Sequence, residues 1–169
     1  RGSEMCIRDR VWHVLAAFTL NELTPFVFSL QPGQRHALYH GPLKSQSEHK
    51  LADLFEAERE LPLAPLTAMP DEISVINVFS LGSAEAVEKV SASIADEPHL
   101  VAYSGIAIHE REMGEHVTKE PALHWIDIHH SLGSKGNGVN HLRKELEIDH
   151  VIAFGDGDND LSMFECASE

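Results

Sequence analysis

The chain has 169 residues, 43% of them hydrophobic, enough to bury the core of one ordinary domain or of two small ones. Its 13 basic and 27 acidic residues give a formal charge of -14, which disfavours long-range attraction to nucleic acid or to an anionic membrane surface. No run of about 20 apolar residues is present to form a transmembrane helix, and two cysteines, Cys6 and Cys166, are too few for a disulfide framework, which points to a reducing cytoplasm.

The first ten residues, RGSEMCIRDR, match neither a signal peptide nor a regular helix or strand period. Gly2 to Arg10 resembles the translation of a transposon-end adaptor used in sequencing libraries, so residues 1–10 are expected to be an artefact outside the fold, with the gene cut at that point. From Val11 to Leu23 the apolar spacing predicts a helix. PFVFSL and RHALYH on either side of QPGQ predict a hairpin, and Ser45 to Glu60 an amphipathic helix with a narrow stripe at Leu51, Leu54 and Phe55. The proline-rich LPLAPLTAMPDE is expected to be a connector. ISVINVFS predicts a strand, and Ser83 stands where the N-cap of the helix AEAVEKVSASIA belongs. HLVAYSGIAIHE predicts one or two strands with a turn or bulge at Gly105, and LHWIDIHH a further strand. SLGSKGNGVNHLRKELEI predicts a glycine-rich loop feeding a helix that buries Val139, Leu142 and Leu146. VIAF is continuously apolar, as in a strand covered on both faces, and LSMFECA reads as a helix.

The crowded acidic run GDGDND, residues 155–160, follows VIAF directly. Asp156, Asp158 and Asp160 alternate as in a calcium loop, but the position that needs glycine holds Leu161, and the one that needs a bidentate glutamate holds Ala167. GSKGNG at 133–138 has the glycine order of neither a dinucleotide nor an ATP loop. Turn formation and helix capping would also use Asp and Asn here. Position favours a ligand site, because loops at the carboxyl ends of parallel strands line the ligand crevice. Carboxylates gathered there would repel one another and a phosphate without a hard cation such as Mg²⁺. Lys135, at the start of a helix among glycines, supplies a counter-charge for phosphoryl oxygens.

Taken together, Ser134-Lys135-Gly136, then Gly155-Asp156-Gly157-Asp158-Asn159-Asp160 with Met163 in the next helix, resemble the third and fourth motifs of haloacid dehalogenase-like (HAD) phosphatases of the Cof-type branch. The resemblance implies an α/β protein with a partial Rossmann-like core over residues 126–169 and an α+β cap over residues 11–125. It implies phosphoryl transfer from a small phosphorylated metabolite to water through an aspartyl-phosphate. Lys135 would be the catalytic cation, Asp156 a Mg²⁺ ligand, and Asn159 and Asp160 the supporting shell of the metal site, with Asp158 facing solvent. No organic cofactor, nucleic acid or membrane partner is implied.

The nucleophile of that family lies in a DxDGT motif, which does not occur in this sequence; IDIHH at 126–130 lacks the second aspartate and the glycine. The second motif's Ser or Thr has no assignable match. The 169 residues are therefore expected to be a cap with a slice of core, without phosphatase activity of their own. One alternative is a non-catalytic ligand-binding or regulatory HAD-like module. A relative of P-type ATPases, which share GDGxND, fits less well, since LSMFECA lacks the proline and small residues that follow the motif there. The twelve histidines, His129-His130 included, show no metal-ligand spacing, and Trp12, Trp125 and Cys166 read as packing residues.

Overall fold

The computed structural model describes residues 7–31, 35–59, 61–70, 73–107 and 122–168. Its strands are β1 (Phe26–Gln31), β2 (Arg35–His40), β3 (Leu63–Pro65), β4 (Ser74–Gly82), β5 (Leu100–Ile106) and β6 (His124–His130); its helices are α1 (Ile7–Leu20), α2 (Gln46–Arg59), α3 (Ala84–Ile94), α4 (Lys135–Leu146) and α5 (Leu161–Phe164). The strands form one sheet in the order β3-β2-β1-β4-β6-β5, antiparallel except where β3 runs parallel to β2.

Because strand side chains alternate between faces, the register divides the sheet's residues into two sets. On one face Val27, Val78, Ile126 and Ile128 pack with Val14, Leu15 and Phe18 of α1 and Val87, Val90 and Ile94 of α3. Full burial of a side chain such as Phe18 removes apolar area worth about 1.5–3 kcal/mol. On the other face, α2 covers only the side nearer β2: Ala52 and Phe55 pack on Phe26, Leu38, Phe28 and Phe79. Phe55 meets Phe28 edge-on, with centroids 5.0 Å apart. Beyond Phe79 the same face changes character. Asp127 lies between Phe79 and Tyr103, and His129 between Asn77 and Val101, with no helix packed over them among the described residues.

Several local expectations change. The first helix begins at Ile7, inside the stretch expected to lie outside the fold, and ends at Leu20. The hairpin forms from Phe26 to His40 with its turn residues 32–34 outside the described ones. Within the proline-rich connector, Leu63–Pro65 pairs with β2, and the Leu38 N–H donates to the Pro62 carbonyl at 3.0 Å. An edge position tolerates proline because its missing N–H would face outward. Gly105 continues β5 beneath the Trp125 indole instead of turning the chain. The second half of HLVAYSGIAIHE runs into residues 108–121, outside the described ones. The boundary expected between residues 125 and 126 falls within β6, which is paired on both sides.

The largest departures lie at the carboxyl end. Leu142 and Leu146 of α4 are 55% and 61% exposed, and Val151–Phe154 takes no place in the sheet. A parallel strand needs a hydrogen-bonded neighbour for its backbone, and the described residues offer this segment none. The Val151 carbonyl accepts from the Ser168 N–H at 2.8 Å, while the Arg143 guanidinium donates to the carbonyls of Cys166 and Asp149. Phe154 is 86% exposed.

Where α2 begins, Ser45 and Glu48 form a capping box. The Ser45 hydroxyl accepts from the Glu48 N–H at 3.2 Å, and Glu48 Oε2 accepts from the Ser45 N–H at 2.8 Å and from the Lys44 N–H. Burial pushes the Glu48 carboxyl up, but these donors and the Thr24 hydroxyl outweigh it and hold the group below its usual range. A depressed folded-state pKa stabilises above the unfolded value, and that stability is lost as pH falls through the folded one. Glu48→Ala is thus expected to lower the urea-unfolding free energy by about 1 kcal/mol at neutral pH, with the difference shrinking under acid titration. A constant difference across pH would contradict this origin. Phe154→Ser is expected to reduce binding of the dye ANS while changing stability by no more than about 0.5 kcal/mol.

Candidate active site

Ser134 caps α4, its hydroxyl accepting from the Asn137 N–H at 3.2 Å, so Lys135 occupies the first helical position. From there the Lys135 ammonium donates to Asp160 Oδ1 at 2.5 Å. Asp160 is buried, and its Oδ2 accepts from the backbone N–H groups of Asp156 and Gly157, both at 3.1 Å. One carboxylate therefore folds the acidic loop back on itself and fastens it to the lysine. The Lys135 ammonium and the Gly157 backbone, with that of Asp156, hold the Asp160 carboxyl below the usual carboxylate range against the opposing effect of burial.

Two glycines make this approach possible. A Cβ on Gly136 would lie 2.1 Å from the Ser162 carbonyl oxygen, and one on Gly155 would lie 2.4 Å from the Asp160 carboxyl carbon. Gly136 also donates its N–H to Ser162 Oγ at 3.1 Å, closing α4 against the start of α5. The spacing of the SKG and GDGDND runs thus has a direct structural expression: one sets the helix start, the other wraps a carboxylate under it.

Around this pair lies a cavity of about 300 Å³, at the small end of the ~300–1,000 Å³ range of ligand pockets. Lys135 and Asn159 line it, together with Asn77, Tyr103, Asp127 and His129 from the half of the sheet face that no helix among the described residues covers. Asn77 Nδ2 donates to Asp127 Oδ1 at 2.6 Å, and the rings of Tyr103 and His129 stack with centroids 5.4 Å apart. Burial pushes the Asp127 carboxyl up, opposed by the Asn77 hydrogen bond and the charge of His129. Of these four sheet residues, Asn77 and Tyr103 were not singled out in the sequence, while Asp127 within IDIHH and His129 were weighed for other roles and set aside. The alternation of Trp125, Asp127 and His129 with the apolar Ile126 and Ile128 was readable, but polar residues on one strand face ordinarily mean solvent.

Of the expected metal-site residues, Asp156 carries an exposed carboxylate, Asn159 lines the cavity, and Asp160 has both oxygens engaged as described; Asp158 is exposed. All are oxygen donors, which fits magnesium in kind. In number they fall short: no group of three His, Cys, Asp or Glu able to hold a metal occurs among the described residues. Asp156 and Asp158 are the loop carboxylates without an engaged oxygen among the described residues, and of the two the motif resemblance makes Asp156 the residue that would contribute to a Mg²⁺ shell completed from elsewhere. No helix among the described residues is long and apolar enough to cross a membrane.

A family model for haloacid dehalogenase-like hydrolases matches residues 11–169. No curated protein matches the sequence. Among solved structures, a haloacid dehalogenase-like hydrolase from B. subtilis superposes with a TM-score of 0.66 at 19% identity, over 97% of this chain and 59% of that one. One from Bacteroides thetaiotaomicron gives 0.59 at 17% identity, over 95% and 53%. A subclass IIB sugar phosphatase of the HAD superfamily gives 0.57 at 17% identity, over 92% and 51%. The chain thus spans between half and three fifths of the length of these structures, and its mixed α/β architecture matches the corresponding part of their fold. With the match running from residue 11 to the last residue, the chain belongs to the haloacid dehalogenase-like hydrolases.

Proposed function

We propose that the whole protein is a Mg²⁺-dependent phosphatase of the Cof-type branch, acting on small phosphorylated metabolites in the cytoplasm, with residues up to the end of β6 as its cap and residues from 131 onward as part of its core. The observation that carries this reading is the Lys135–Asp160 pair at the edge of the cavity: an ammonium held in place by a buried carboxylate, facing a space sized for a small ligand. The sugar phosphatase among the similar structures supports a phosphorylated small molecule as the substrate class.

In this reading an aspartate oxygen from the DxDGT motif attacks phosphorus and the ester P–O bond breaks. The leaving oxygen takes a proton from the second aspartic acid of that motif, which as carboxylate then takes a proton from the water that releases phosphate from the aspartyl-phosphate. Lys135 contributes by balancing charge on the phosphoryl oxygens and the attacking carboxylate, and Asp160 by keeping the ammonium from wandering to solvent. Asn159, which lines the same cavity, would help orient the phosphate or the waters of the metal. Bound magnesium would supply further charge neutralisation at the phosphoryl group.

The test is p-nitrophenyl phosphate hydrolysis by two proteins: this 169-residue chain, and the chain extended with the upstream sequence that carries DxDGT. The extended protein is expected to be active, dependent on Mg²⁺, and slowed by about 100-fold or more in Lys135→Ala; the 169-residue chain is expected to be inactive. Hydrolysis by the shorter chain that Lys135→Ala abolishes would place the nucleophile within these residues and overturn the assignment.

A further inference from the structure

The uncovered half of the sheet face has an electrostatic character opposite to that of Lys135. Asp127 stands at its centre, between Phe79 and Tyr103 in the register, with its carboxylate half-buried and one oxygen taken by Asn77. Among the described residues its other oxygen has no hydrogen-bond partner, and the residue lines the cavity. The carbonyl oxygen of the Asn77 side chain is a second acceptor on the same wall, since the Nδ2 group is the one turned to Asp127. Beside them the stacked Tyr103 and His129 rings offer a flat surface, and Ile76 an apolar edge.

Two features mark this as a built wall rather than a solvated strand face. The neighbouring half of the same face is apolar and sealed by α2, so the change from Phe79 to Asp127 occurs between adjacent strands at one register position. A carboxylate placed there loses solvation that surface aspartates keep, at a cost a purely structural position would avoid with an apolar residue.

We propose that Asp127 and Asn77 are specificity-determining residues that read the leaving group, selecting monophosphate esters whose far end is uncharged and rich in hydroxyl groups. This rests on the phosphatase reading of the same cavity. With the phosphoryl group at Lys135, hydroxyls on the opposite side meet the acceptors of Asp127 and Asn77, and a carbon skeleton lies against the Tyr103–His129 surface. A second phosphate or a carboxylate would instead face Asp127, and among the described residues no lysine or arginine lines that wall to offset the repulsion.

The test is ¹⁵N–¹H NMR titration of the 169-residue chain with inorganic phosphate, glucose 6-phosphate and glucose 1,6-bisphosphate, on the native sequence and on Asp127→Asn. Inorganic phosphate is expected to shift the amides of Lys135 and Gly136. Glucose 6-phosphate should shift these and also those of Asn77, Tyr103 and Asp127, and the bisphosphate should bind more weakly than the monophosphate. In Asp127→Asn, glucose 6-phosphate affinity is expected to fall about tenfold while the preference against the bisphosphate disappears; a substitution that merely loosened the fold would weaken all three ligands alike. The fold itself is checked by melting. Burial raises the Asp127 pKa, so what stability the group contributes is present below the unfolded value and lost as pH rises through the folded one. Asp127→Asn is therefore expected to melt no lower than the native chain at neutral pH. Shifts at Lys135 and Gly136 without shifts on the sheet would overturn the leaving-group assignment and leave the phosphoryl site standing. No shift at either end with any ligand would overturn both.

Discussion

Asp160 is the constraint on which the acidic loop depends. Four aspartate and asparagine side chains within five residues would ordinarily spread apart in water, and a loop of that composition would hold no defined shape. Here one carboxylate gathers three donors, the ammonium of Lys135 and the N–H groups of Asp156 and Gly157. Burying a charge is costly unless it is paired and hydrogen-bonded, and Asp160 is both. Its two oxygens are consumed in the process, which leaves Asp156 and Asp158 as the carboxylates that face outward. The loop thus sorts its acids by role through hydrogen bonding alone: one turned in to hold the backbone and the lysine, the others turned out with unshared lone pairs.

The sheet performs a similar sorting on a larger scale. One face is closed by α1 and α3 and supplies most of the core. The other is closed over β1 and β2 by the aromatic cluster around Phe55, and among the described residues no helix packs over it at β6 and β5. Packing helices on both halves would bury Asp127 and Asn77 without water and strand their polar atoms. Leaving one half open keeps the sheet rigid, because its opposite face is still packed, while presenting a polar wall of fixed geometry. Rigid strands hold such groups more closely than loops would, and Lys135 is reached from β6 in a few residues through a short 3₁₀ turn, Ser131–Gly133. The wall and the lysine are thus coupled by the shortest stretch of chain available.

Much of this was legible in the sequence because it rests on local rules. The N-cap Ser83, the hairpin, and strands β4 and β6 follow from period and capping chemistry, and Lys135 with the GDGDND run carried the resemblance to the family's motifs. What could not be read depends on pairing between distant segments. Asp127 stood inside IDIHH, compared there with a nucleophile motif and set aside, because its importance lies in Asn77 fifty residues earlier and in Tyr103 across the register. The fate of VIAF was misread for the converse reason. Its apolar run describes a strand with neighbours on both sides, and sequence periodicity records that preference whether or not the neighbours are within reach.

That mismatch has a physical consequence for how the carboxyl region is held. Of the 13 large apolar residues that are exposed among the described ones, eight lie between Leu132 and Phe164, whereas the longer stretch that forms the sheet and its three helices holds the other five and buries most of its own. The region is fastened by polar links: the Lys135–Asp160 pair, Gly136 to Ser162, and Arg143 reaching two carbonyls. Polar links are directional and individually modest, so they can fix the relative placement of α4 and the acidic loop without supplying the area term that dominates in the sheet. The stability of the two regions therefore differs in kind. Denaturant, which acts on exposed area, should distinguish the packed sheet from this end, while acid, which protonates Asp160, should release the loop from Lys135 with the sheet still folded.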